Sequence, residues 1–154
     1  MFPIVFEVEL QGVRVVRDRR RFKRLIKLAM RATLFFWHER FLRLHFNRTA
    51  FFRYGAVYTK RKSRRGGNPN VLTGRMKRML EQVIRVTGTE KLMTGTMKGP
   101  AYTDVRRPGQ PDKAREISFV NSGEQRQMAR FLQNLLGRSL QRERSVRKRV
   151  RISA

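Results

Sequence analysis

Cysteine is absent from this 154-residue chain, which removes a disulfide framework, a thiolate metal site and a thiol nucleophile in one stroke. Acidic residues are scarce: 11 Asp and Glu stand against 37 Lys and Arg, for a net charge of +26. Such an imbalance excludes the ordinary neutral surface of a small-molecule enzyme. Self-repulsion opposes compaction at this charge, so the natural partner is a polyanion or an assembly containing acidic surfaces. Long apolar runs are missing as well. The longest, Leu34 to Trp37, falls far short of the ~20 residues a membrane span needs, so no membrane partner is expected. Met1 to Leu10 carries Glu7 and Glu9 and has no basic stretch leading into an apolar one, so it does not read as a secretory signal. The expected place of synthesis is the cytoplasm. Nor does the chain contain a P-loop, a Gly-x-Ser-x-Gly, a His-Glu-x-x-His or a Gly-x-Gly-x-x-Gly. No catalytic residue, cofactor or resident metal is therefore expected.

What is present fits one core. Eleven Phe and an apolar share of 40% in 18.3 kDa match a single domain of ordinary size. Ile4, Phe6 and Val8 alternate with Val5, Glu7 and Glu9, which predicts a short half-buried strand. From Arg19 to about Phe46, the stripe positions Phe22, Leu25, Ile26, Ala29, Thr33, Phe36, Trp37, Phe41 and Leu44 recur at spacings of three and four. This predicts one helix about 40 Å long with Asp18 as its cap and one end projecting toward a neighbour. Thr73-Gly74-Arg75 reads as a structural motif, Thr73 capping a short helix that bears Met76, Met79 and Leu80. Gln82 to Thr89 and Leu92 to Met97 predict a hairpin turning at residues 88–91. Arg115 to Asn121 reads as a further strand through Ile117 and Phe119. Ser122 to Gln125 reads as a capping box opening a final helix with the stripe Met128, Phe131, Leu132, Leu135, Leu136 and Leu140. The fold class is thus α+β: a long N-terminal helix and a C-terminal helix on a small antiparallel sheet, as one domain over residues 1–140, followed by a basic tail over 141–154.

Charge is unevenly spread. Arg14 to Arg78 holds 21 basic residues against Asp18 and Glu39, whereas the first thirteen residues are net −2. Residues 47–70 form a predicted long basic loop around Tyr54 and Tyr58. Five of its six residues from Lys60 to Arg65 are basic: Lys60, Arg61, Lys62, Arg64 and Arg65. Cations beside aromatics suit phosphate contact without base readout, and they suit acidic protein surfaces equally well. A second basic block in the tail includes Arg144, Arg147, Lys148 and Arg149. Both blocks are candidate contacts for a polyanion or a protein partner.

Other residues read more plainly. His38 and His45, seven apart on the predicted helix, share a face and read as a surface or interface pair, since no third metal ligand accompanies them except Glu39 on an adjacent face. Glu116 and Glu124 are expected to neutralise arginines. The aromatic set Phe35, Phe36, Trp37, Phe41, Phe46, Phe51 and Phe52 exceeds what one helix stripe hides, so a second subunit is expected to cover part of it.

The order of these features, a long amphipathic helix, then His45-Phe46-Asn47-Arg48-Thr49-Ala50, Tyr54-Gly55, Tyr58-x-x-Arg-Lys and Pro69-Asn-Val-Leu-Thr-Gly-Arg75, resembles the tail-completion or virion-morphogenesis proteins of tailed bacteriophages. Lys98-Gly-Pro-Ala-Tyr102, Asp112-Lys-Ala-Arg-Glu116 and the helix start at Ser122-Gly-Glu124 are similar to the closing half of that family, so the resemblance covers about residues 19–140. It implies an α+β fold and a non-enzymatic, homo-oligomeric ring in the head-tail neck of the virion. The ring's neighbours would be portal or adaptor and tail proteins, with double-stranded DNA passing through the channel without sequence specificity. The alternative from another class is a ribosomal-type RNA-binding protein. A nuclease ranks third, because no acidic metal cluster is evident.

Overall fold

The structure, a computed structural model, describes residues 2–7, 19–54, 74–82, 84–100 and 113–150, without the side chains of 6, 51, 113 and 142–150. It is an α+β fold in which helices pack on one small sheet. Strand β1 (Phe2–Glu7) pairs antiparallel with β3 (Leu92–Met97), which pairs antiparallel with β2 (Ile84–Gly88), giving the order β1-β3-β2. Alternation sorts the faces: Phe2, Ile4, Ile84, Met93 and Met97 are buried, while Val5, Glu7 and Thr87 are exposed. The register stacks the inward residues, with Phe2 and Ile84 both opposite Met97 and Ile4 opposite Gly95. Gly88 enters the hairpin at φ 145°, where a side chain would run into the Leu92 carbonyl. Thr89 N–H then donates to the Leu92 carbonyl at 2.8 Å and closes the turn.

Helix α1 (Arg19–Arg40) lies across β2 and β3 and buries Ile26, Met30, Leu34 and Trp37, a stripe of three- and four-residue steps. The predicted helix to Phe46 is corrected here: α1 ends at Arg40 and continues as a 3-10 helix, Leu42–Phe46. The cause is packing. Phe41, Leu42, His45 and Phe46 are all buried, and in an α-helix running straight on from α1 Leu42 and Phe46 would fall more than about 90° away from the stripe of Ile26, Met30, Leu34 and Trp37. The segment past Arg40 is thus packed into the body.

The predicted loop over 47–70 is corrected in its first third. Helix α2 (Ala50–Arg53) follows the 3-10 helix, and Tyr54 packs inward behind it. Residues 55–73, with Lys60, Arg61, Lys62, Arg64, Arg65 and Thr73, lie outside the described residues, as does Asp18. Helix α3 (Arg75–Gln82) buries Met76 and Leu80. The Gly74 carbonyl accepts the first helical bond from Arg78 N–H at 3.0 Å, and Gly74 adopts φ 72°; the expected cap, Thr73, is not among the described residues.

The strand expected from Arg115 to Asn121 is instead helix α4 (Lys113–Ser118), which packs on β1. Ile117 is fully buried while Phe119 is 49% exposed, so the two do not share an inward strand face. Helix α5 (Ser122–Val150) packs on α1 and stacks Phe131 on Phe36 at 4.3 Å. Its cap is also corrected. Asn121 holds the position: its Oδ1 accepts from Glu124 N–H at 2.9 Å, and its carbonyl accepts from Gln125 N–H. Asn121 with Glu124 therefore takes the place of the box assigned to Ser122 and Gln125. The helix runs on to Val150, so the boundary drawn between residues 140 and 141 falls inside α5, and Arg144, Arg147, Lys148 and Arg149 lie on its final turns.

Candidate functional site

The described residues bring together a polar cluster where α1, the 3-10 helix, α2 and α5 meet. At its centre is Glu124, fully buried in the first turn of α5. One carboxylate oxygen accepts Trp37 Nε1–H at 3.0 Å; the other accepts the Tyr54 hydroxyl and Asn121 Nδ2–H, the latter at 3.1 Å. A buried carboxylate is costly unless its lone pairs are filled, and here three separate side chains fill them. The helix N-terminus adds a favourable field. Among the described residues the donors hydrogen-bonded to Glu124 are uncharged, in place of the arginine expected there.

His45 lies flat on Tyr54, with ring centroids 3.8 Å apart and planes at 11°. Burial pulls its pKa down to about 4, opposed by a backbone hydrogen bond at Glu116 and assisted by the nearby Arg53 charge. Burial also raises the Tyr54 phenol well above its ordinary range, and the Glu124 carboxylate adds to the rise. The phenol therefore stays a neutral donor. The histidines do not form the expected surface pair. His38 is buried with Nε2 2.7 Å from the Leu80 carbonyl, tying α1 to α3, and His45 sits on a different element among aromatics. Among the described residues no group of His, Asp or Glu could hold a metal ion.

The cluster places both ends of the basic segment. Tyr54 fixes its entry against α5. Gly74 and α3 fix its exit, and α2 and α3 both pack on the 3-10 helix. Tyr54 and Gly74, the described residues on either side of 55–73, thus each adjoin a helix that packs on the 3-10 helix. Of the aromatic set, Trp37, Phe41 and Phe46 are core, Phe35 and Phe36 are partly buried, and Phe52 is 92% exposed.

Sequence reasoning missed Glu124 as an anchor. The spacing of Asn121 and Glu124, a cap residue three before an acid, was the available signal. It also passed over α1's outer face, where Arg19 to His38 carries seven Lys and Arg and no acid. No helix among the described residues is long and apolar enough to cross a membrane. Compared with known protein families, curated proteins and solved structures, the chain matches none.

Proposed function

We propose that this chain is a non-enzymatic structural protein of a tailed-phage neck. It would assemble as a ring between the portal side and the tail and surround the DNA path without reading its sequence. The observation that carries this reading is the mounting of the basic segment. Its ends are pinned by a buried carboxylate network at Tyr54 and by the His38 tie to α3, as suits a segment that must meet a partner at a fixed position on a rigid frame. The spacing from His45 to Arg75 that resembles the tail-completion proteins runs through this same region. Phe52, exposed beside the entry to the segment, supplies an apolar contact of the kind subunit interfaces bury.

Electron microscopy of the purified full chain tests the reading. A closed ring with an axial channel, co-sedimenting with portal, adaptor or tail proteins, is the expected result. A monomer that co-purifies with RNA, seen as high absorbance at 260 nm, would reject the ring and leave the ribosomal-type alternative standing.

A further inference from the structure

The opposite end of α1 carries a second charged feature, apart from both predicted basic blocks. Between α1 and the hairpin runs a cleft of about 350 Å³. Arg24, Lys27 and Arg31 form its helical wall, Thr87 and Gly88 its strand wall, and Val86 and Met93 its floor, with Leu28 at the rim. Among the described residues no carboxylate lines it. Glu90, at the hairpin turn, is engaged by Lys23 at 2.8 Å. The Arg31 guanidinium also rests 5.7 Å from the Phe35 ring, an arrangement that leaves its charge in place.

The cations continue past the cleft. Arg20, Arg24, Lys27 and Arg31 are all exposed, and their steps of four, three and four keep them on one stripe about 16 Å long. A linear row of fixed cations suits a linear row of anions. A straight stripe of that length meets the few consecutive phosphates of a duplex strand that face it at once. Among the described residues the lining contains no aromatic ring, and so none of the stacking surface that single-strand binding uses. An acidic peptide strand added to the outer edge of β2 would span only Ile84–Gly88 and would not extend along the helix to Arg20.

The geometry points to this cleft as a phosphate-backbone contact for double-stranded DNA, with Arg24, Lys27 and Arg31 holding phosphates at its wall and Arg20 extending the track. It rests on the neck reading, in that it supplies the folded surface on which a DNA path would run. Binding of this kind is independent of base sequence and dependent on salt.

The experiment uses the full chain and two unrelated duplexes of about 30 base pairs, long enough to exceed the stripe several-fold. Replacing the three cations together (Arg24→Gln, Lys27→Gln, Arg31→Gln) should flatten the slope of log affinity against log salt by about three units for both duplexes, at ~0.9 per phosphate no longer neutralised. In the unaltered chain, duplex should protect Lys27 from acylation and leave Lys98, just past the far end of β3, reactive. This second measurement needs no variant to fold. If the unaltered chain binds duplex, the triple variant keeps the full slope and Lys27 stays reactive, the cleft assignment fails while the DNA path survives. If the unaltered chain binds no duplex, both fail. Protection of Lys27 by polyglutamate and not by duplex would overturn the assignment in favour of an acidic protein strand.

Discussion

The two ends of α1 treat charge in opposite ways. At its C-terminal end a single carboxylate, Glu124, is withdrawn from water and surrounded by uncharged donors from Trp37, Tyr54 and Asn121. At its N-terminal end a row of cations is left in water, and Glu90 meets Lys23 at its margin. In a chain with 11 acids and 37 bases, the difference shows how the two signs are used. The buried acid organises the core and fixes where a basic segment begins. The exposed cations contribute little to folding and remain available to a partner.

The comparison breaks most visibly at Glu124. Glu124→Ala strands the Trp37 indole N–H and the Tyr54 hydroxyl in the interior. Leaving such donors unmet and losing charge-assisted bonds should cost about 3 kcal/mol or more. Chemical denaturation should register this as a large fall in midpoint, and in a marginal chain as loss of the folded state. Replacing all of Arg24, Lys27 and Arg31 by Gln should move the same midpoint far less.

Acidification attacks the same end. His45 has a folded-state pKa of about 4 against 6.5 for the free side chain, so the unfolded chain binds the extra proton first. Its neutral form stabilises the fold fully above pH 6.5, and this contribution is lost as pH falls from 6.5 toward 4. The loss approaches about 3 kcal/mol at the low end of that window. Thermal melts at about pH 7, 5.5 and 4.5 sample both sides of it and check the slope. His45→Phe should flatten it, because an uncharged ring stacked on Tyr54 has nothing to titrate.

Tyr54→Phe is a milder cut. The stack on His45 is retained and one hydrogen bond to Glu124 is lost, for an expected cost of about 1–2 kcal/mol. If Tyr54 anchors the basic segment through Glu124, then Tyr54→Phe and Glu124→Gln should cost less together than the sum of their separate effects. Additive costs would show that the two residues stabilise the fold independently, and the anchoring role would fall.

How much of this was legible in the sequence depended on the range of the signal. The stripe from Ile26 to Trp37, the hairpin and the stripe through Met128 and Leu132 announce themselves by period, since each is long enough to fix its own phase. Arg115 to Asn121 was too short for that. Ile117 and Phe119 alternate as in a strand, yet Ile117 is drawn into the core beside β1 while Ser118 Oγ donates back to the Ala114 carbonyl within a helical turn. The end of α1 was hidden for a different reason: the buried pairs Ala29-Met30, Thr33-Leu34 and Trp37-His38 continue in step as Phe41-Leu42 and His45-Phe46, so the pattern runs unbroken through the change to a 3-10 helix. Glu124 was the least visible. Its donors Trp37 and Tyr54 lie 87 and 70 residues away, and in so basic a chain an acid is first read as a partner for arginine. Of the expected polyanion contacts, Lys60 to Arg65 fall outside the described residues, and Arg144 to Arg149 are placed only as backbone on α5.

The smallest expected effect sharpens the comparison from the cationic end. Glu90 sits at the hairpin turn, bonded to Lys23 at 2.8 Å, and that ammonium holds its carboxyl below the usual carboxylate range. The pair is open to solvent, where ion pairs contribute little to stability, so Glu90→Gln should leave the thermal midpoint unchanged within error. Its consequence should appear in binding. Removing the acid frees Lys23, one residue before Arg24 on the same helix, to meet an anion, and the salt slope for duplex DNA should steepen by up to about one unit. The sign separates the two ends: at Glu124 the loss of a carboxylate weakens the fold, whereas at Glu90 the same loss strengthens attraction for a polyanion. Weaker duplex binding by Glu90→Gln at an unchanged midpoint would mean that Glu90 orients Lys23 toward the ligand instead of competing with it, and the N-terminal end of α1 would then be a structured site rather than an open row of charges.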